Sequence, residues 1–179
     1  FEGADRWFDE HSDGCPRERS SRADDARQRS RGLPTVEDVF EARYRAQEDL
    51  EDGRERYAKY VKGLIAVEGG DGRAATRPVG QVLEIVPERD PLAARLGETL
   101  AVRVLFRGQP LADANLCWDV PGHGAKFLGQ TWTDEKGRAL VPLARTGLPS
   151  LRLIHMTRPR TDDYEWESFW ASFTWRVRD

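Results

Sequence analysis

Cysteine, methionine and histidine are scarce in this chain of 179 residues, which holds two, one and three of them. The two cysteines, Cys15 and Cys117, are too few for a disulfide framework and lack the paired spacing of a structural zinc site. The expectation is therefore one loop thiol and one core thiol. No apolar run approaches the roughly 18 residues that a membrane-spanning helix needs. An excess of one charge is missing too. Lys and Arg number 28 against 31 Asp and Glu, and the net charge of -3 leaves no basic footprint for nucleic acid. The first residue is Phe, not Met, so a mature or truncated product is expected. With 39% of residues hydrophobic and 33% charged, a core can form only where apolar side chains are concentrated. That concentration begins after residue 79.

Residues 9 to 32, DEHSDGCPRERSSRADDARQRSRG, have no periodic apolar face and cannot repay the entropy of ordering, so 1–34 reads as a poorly ordered arm. Thr35 and Asp38 resemble a capping box, and Val36, Val39, Phe40 and Tyr44 follow at helical spacing. This predicts a helix over about 36 to 51, ending near Gly53. The stretch RERYAKYVKGLIAVEGG is ambiguous. Tyr57, Tyr60, Val61, Leu64 and Ile65 fit a helix, whereas Tyr57, Val61, Ile65 and Val67 share one face of a strand. Residues 69 to 78 read as a linker with almost nothing to bury.

From Val79 onward the period is two. QVLEIVPE gives a short strand, and ETLAVRVLFRG aligns Leu100, Val102, Val104 and Phe106 on one face. ANLCWDV alternates Leu116 and Trp118 against Cys117 and Asp119, after a turn built from Gly and Pro. TDEKGRALVPL is a turn followed by a strand with Ala139, Val141 and Leu143 inward, and Gly137 is free to take positive φ. SLRLIHMTR and SFWASFTWRVR supply two more strands, the latter with Phe169, Ala171, Phe173, Trp175 and Val177 as one inner stripe. Some seven strands at this spacing predict a mainly β fold. It is an antiparallel, immunoglobulin-like β-sandwich over 79–179, with a helical or partly disordered N-terminal extension and a helix-plus-strand segment over 35–78.

The order LEIVPERDPL, GETLAVRVLFRGQPLADANL, TDEKGRALVPLARTG, LRLIHM and DYEWESFWASFTW resembles a family of bacterial exported proteins of unknown function. Its members are often described as periplasmic components of nickel uptake or cobalt transport. The GQPLADA and TDEKGRA elements are also similar to prealbumin-like modules of carboxypeptidase regulatory domains and Cna-type surface repeats. The resemblance covers 79–179 and extends back to RERYAKYVKGLI, which looks like a strand closing the family's first domain; this tips the ambiguous stretch toward strand. Residues 1–52 match little, and the family's leading His-containing strand is missing. What the resemblance implies is an exported, periplasmic, non-enzymatic protein that assists nickel or cobalt handling, with a membrane metal transporter as partner.

Of the three histidines, His11 lies in the arm and His123 in the loop PGHGAKF. His155 alternates in phase with Leu151 and Leu153, and the acidic loop TDDYEWE follows it. Imidazole with nearby carboxylate can ligate nickel or cobalt, so His155 with Asp163 is the candidate metal pair. No nucleophile elbow, metalloprotease helix or phosphate loop is present. Asp162, Asp163, Glu165 and Glu167 read as a solvated face, not a glycosidase pair. Trp166 and Trp170 lie out of phase with the inner stripe and about 13 Å apart at roughly 3.3 Å per residue. An exposed pair of that kind is a candidate platform for carbohydrate or protein.

Overall fold

The computed structural model describes residues 36–45, 47, 53–66, 73–120, 128–161 and 163–178, without the side chains of 36–40. His11, Cys15, His123, Thr35, Asp162 and the segment 1–34 lie outside the described residues. Two sheets face one another as a β-sandwich. The five-stranded sheet runs β1 (Glu55–Gly63), β9 (Trp166–Thr174), β8 (Ser150–Thr157), β5 (Asn115–Asp119) and β6 (Gly129–Trp132). In the four-stranded sheet β3 (Thr99–Phe106) is paired by β2 (Leu83–Pro87), β4 (Gln109–Pro110) and β7 (Arg138–Pro142). Every pairing is antiparallel except β1 with β9, which is parallel.

Period-two alternation places the core where the sequence predicts it. Leu100, Val102 and Val104 from β3 are fully buried, facing Leu116, Leu151, Leu153, Phe169, Ala171 and Phe173 of the other sheet. Trp175 stacks on Phe173 at 5.0 Å between ring centroids, and Val177 is buried just beyond it. Burying each large apolar side chain contributes roughly 1.5–3 kcal/mol relative to exposure. The hairpin from β3 to β4 turns at Arg107 (φ 52°) and Gly108 (φ 77°). Positive φ at both positions matches the right-handed strand twist. At Gly137, also at positive φ, a Cβ would lie 2.7 Å from the Val104 carbonyl oxygen, so glycine is required by space as well as by dihedral.

Several expectations need correction. The strand at 55–63 is hydrogen-bonded into the sandwich as the edge of its larger sheet, with Glu55 opposite Trp166 and Gly63 opposite Thr174. Strands β4 and β6 follow Gly-containing segments that carry too few apolar residues for a periodic signal. The linker contains a 3₁₀ turn, Arg73–Thr76, that buries Ala75. Helix α1 spans Val36–Arg45, and Tyr44, expected on its apolar stripe, is exposed. Ala42 packs instead near Met156 and Trp166, and Arg43 is buried, because a short side chain lets the helix approach the outer face of the sheet.

The expectation of free thiols also fails: Cys117 is disulfide-bonded. Its side chain lies on the outer face of β5, opposite Arg152 and Gln130 and out of phase with the core residues Leu116 and Trp118. Spacing along a chain carries no information about a bridge that closes in three dimensions. Cys117→Ser, or reduction of the intact protein, is expected to cost about 2–4 kcal/mol in denaturant unfolding.

A buried ion pair joins the sheets at the β1 side. Lys62 donates to Glu84 at 2.8 Å, and Glu84, itself 1% exposed, also accepts from the backbone N–H groups of Val79 and Gly80. Burial alone would raise the Glu84 carboxyl. The Lys62 hydrogen bond, then the two amides, outweigh it and hold the group below the ordinary carboxylate range. Glu84→Ala would strand these donors and is expected to destabilise the fold by about 3 kcal/mol in urea melts. Lys62→Met combined with Glu84→Leu should recover part of that loss.

Candidate functional site

The structure gives the two members of the candidate metal pair different settings, His155 buried and Asp163 exposed. His155 sits on β8 opposite Phe169 and points inward with Leu151 and Leu153, because strand alternation gives these residues one face. Its ring meets Phe106 edge-on at 4.5 Å, and Phe106 in turn meets Phe169 at 5.0 Å. Arg107, held by the hairpin turn, lies over the Phe106 ring at 4.9 Å and bridges to Glu167 at 3.6 Å. Burial first, and the Arg107 guanidinium second, lower the His155 pKa from 6.5 to about 4. Asp163 is exposed on the loop before β9, where its carboxylate accepts from the Thr161 hydroxyl at 2.9 Å.

A dication beside His155 would therefore meet aromatic carbon and a guanidinium instead of oxygen ligands. The surroundings of His155 do not fit nickel or cobalt. Among the described residues no three or more His, Cys, Asp or Glu side chains are grouped to hold an ion. Glu165 and Glu167, nearby along the chain, are engaged by arginines. Glu165 pairs with Arg54 at 2.9 Å, and Glu167 is flanked by Arg56 and Arg107 while accepting from Tyr164 at 2.9 Å.

The two tryptophans of the candidate platform differ in exposure. Trp166 is 3% exposed, packed with Met156 beneath the Arg158 guanidinium, which lies 3.8 Å above its ring. Trp170 is only half-buried, and Lys59 of β1 lies over it at 5.1 Å. Both rings do point to the outer face, as their phase requires. Trp166 is covered because α1 and the end of β8 close over that part of the sheet.

What stands open on this face is the strand beside Trp170. Tyr57, Val61 and Ile65 are 59%, 75% and 85% exposed, and Lys59 lies between the first two with its ammonium 5.5 Å from the Tyr57 ring. From Ala58 onward the even-numbered residues turn inward: Ala58, Tyr60 and, just past β1, Leu64 pack on the core, and Leu64 donates to the Thr174 carbonyl. Odd-numbered residues therefore present their side chains to the outer face and their N–H and C=O groups to the open edge. The Gln81 amide donates to the Val61 carbonyl at 3.4 Å, which leaves the edge at 55, 57 and 59 for a partner. The grouping of Tyr57, Val61 and Ile65 is visible in the sequence. Their exposure is not, since an apolar stripe ordinarily signals a buried face.

The family described as a domain of unknown function (DUF4198) matches residues 21–157. The match takes in residues 21–52, where little resemblance was expected, and ends with β8, so that DYEWESFWASFTW lies outside it. No curated protein and no solved structure matches the chain.

The neutral, buried imidazole links pH to stability. A base whose folded pKa lies below its unfolded value charges more readily in the unfolded chain, so its contribution is complete above pH 6.5 and is lost as pH falls toward about 4. The loss is expected to reach roughly 3 kcal/mol across that window. His155→Leu should flatten the profile there, leaving the decline below the ordinary carboxylate pKa to which Glu84 contributes.

Proposed function

The chain belongs to the DUF4198 family, a domain of unknown function, and from that premise we propose that it is a non-enzymatic, exported β-sandwich that binds a protein partner along β1. The observation that carries this reading is the exposure of Tyr57 and Val61 on the terminal strand of a sheet, with Ile65 just beyond its end. Large apolar side chains clustered on an unpaired edge mark a contact surface, because water gains when they are covered. Extended segments add to such edges through main-chain hydrogen bonds, with alternate side chains setting specificity. The mixture favours protein over carbohydrate. Two of the three exposed side chains are aliphatic, and the Trp170 face that a sugar ring would need is taken by Lys59.

A prealbumin-like lineage fits a two-sheet module of this kind, and the disulfide at Cys117 supports an oxidising, exported compartment such as the periplasm. The nickel and cobalt transport that the resemblance implies fits this reading only through docking, for instance to a membrane transporter. That role asks nothing of His155. No helix of the described residues is long and apolar enough to cross a membrane.

Two measurements test the reading. A photo-crosslinking residue at Val61 should give protein adducts in cells producing the protein, whereas the same residue at Leu140, exposed on β7, should give few. Equal yields at the two positions would sink it. In calorimetric titration with nickel or cobalt, His155→Leu should leave the isotherm of the full chain unchanged. A binding event lost with that substitution would restore the metal reading.

A further inference from the structure

We propose that the partner seated on β1 is a second copy of this chain, paired antiparallel across a two-fold axis at Tyr57; this rests on the reading of β1 as a contact surface. The outward-facing sequence of the strand is Glu55, Tyr57, Lys59, Val61. About Tyr57 it is self-complementary in charge. An antiparallel two-fold pairing centred there sets Tyr57 against Tyr57 of the second copy and Glu55 against Lys59 of the second copy, and the symmetry repeats the ion pair.

The same odd-numbered residues direct their backbone groups to the edge, so the three register pairs are hydrogen-bonded pairs, each able to exchange two N–H to C=O bonds. Neither Glu55 nor Lys59 forms an ion pair with another described residue. The other cations of β1 and the residue before it are already matched, Arg56 by Glu167, Lys62 by Glu84 and Arg54 by Glu165. Other registers are poorer. Centring the axis on Lys59 would oppose two ammonium groups, which is unfavourable for directly facing residues. Centring it on Val61 would require the carbonyl that Gln81 already occupies.

The strand also lacks the usual protections of a solitary edge. It contains no proline, and Lys62, the second lysine in ERYAKYVKG, turns inward to Glu84 instead of guarding the edge. The lysine that does face outward, Lys59, is the one aligned with an acid in this register. Pairing would join two five-stranded sheets into one continuous sheet and place the Tyr57, Lys59 and Trp170 clusters of both copies side by side on its outer face.

Sedimentation of the intact protein over a wide concentration range should show a monomer–dimer equilibrium. Lys59→Glu, which places acids opposite one another twice, should weaken the dimer roughly tenfold. Glu55→Lys combined with Lys59→Glu should restore it. Both residues reach solvent, so thermal melts of the variants should match the parent, and in the dimer the amides of 55, 57 and 59 should be protected from hydrogen exchange. A protein that stays monomeric at every concentration, a dimer indifferent to Lys59→Glu, or a double variant that fails to recover would overturn self-pairing. If crosslinks at Val61 to other proteins persist in a strict monomer, self-pairing is lost and the contact surface stands. If neither adducts nor dimer appear, both readings fall.

Discussion

Strand β9 holds the rest of the molecule in place because it works in three directions at once. Its inward residues Phe169, Ala171 and Phe173 fill the space between the sheets, one edge carries β8 and the other carries β1. The inner stripe fixes the register, since a slip of one residue would move every aromatic ring to the opposite face. With the register fixed, Trp166 must lie under α1 and Trp170 must lie beside Lys59. The covered and open parts of the outer face both follow from that one alternation.

The rims of the sandwich are closed by charges, where apolar packing runs out. Lys62 and Glu84 join the sheets on the β1 side, and Arg107 reaches Glu167 from the β3 hairpin. These contacts sit beside aromatic rings: Lys62 lies 5.9 Å from Phe173, and Arg107 lies over Phe106 and Phe169. A guanidinium or ammonium in such a place gains from the ring face while its acid partner limits the cost of desolvation. His155 occupies the same neighbourhood with no such partner, so it loses its proton instead. The property that makes it look like a ligand in the sequence, an imidazole in phase with leucines, is the property that keeps it in a dry interior.

Much of the fold was legible because alternation is a local signal. Leu100 to Val104, Ala139 to Leu143 and Phe169 to Val177 each declare their inner face within a few residues, and the structure buries them accordingly. The site was less legible, since exposure depends on what happens to lie above a strand. In the sequence Trp166 looks open and the stripe holding Tyr57 looks buried, yet Trp166 lies beneath Arg158 and Tyr57 faces solvent. The bonding of Cys117 was invisible for the same reason. The stretch 55–63 could be read as helix or strand from its pattern, and only the long-range parallel pairing with β9, more than a hundred residues away, decides it.

The charged groups beside the sandwich rims are held by their surroundings. Glu165 is held by Arg54 and Glu167 by Arg56 and Arg107, and the one described histidine is buried as a neutral ring. Each matched charge fixes a rim of the frame. The outer edge of β1 differs in both respects: its main-chain groups at 55, 57 and 59 point away from the sheet, and Glu55 and Lys59 are left for a partner to answer. An open strand edge of this kind is the geometry to which an extended segment can add through main-chain hydrogen bonds.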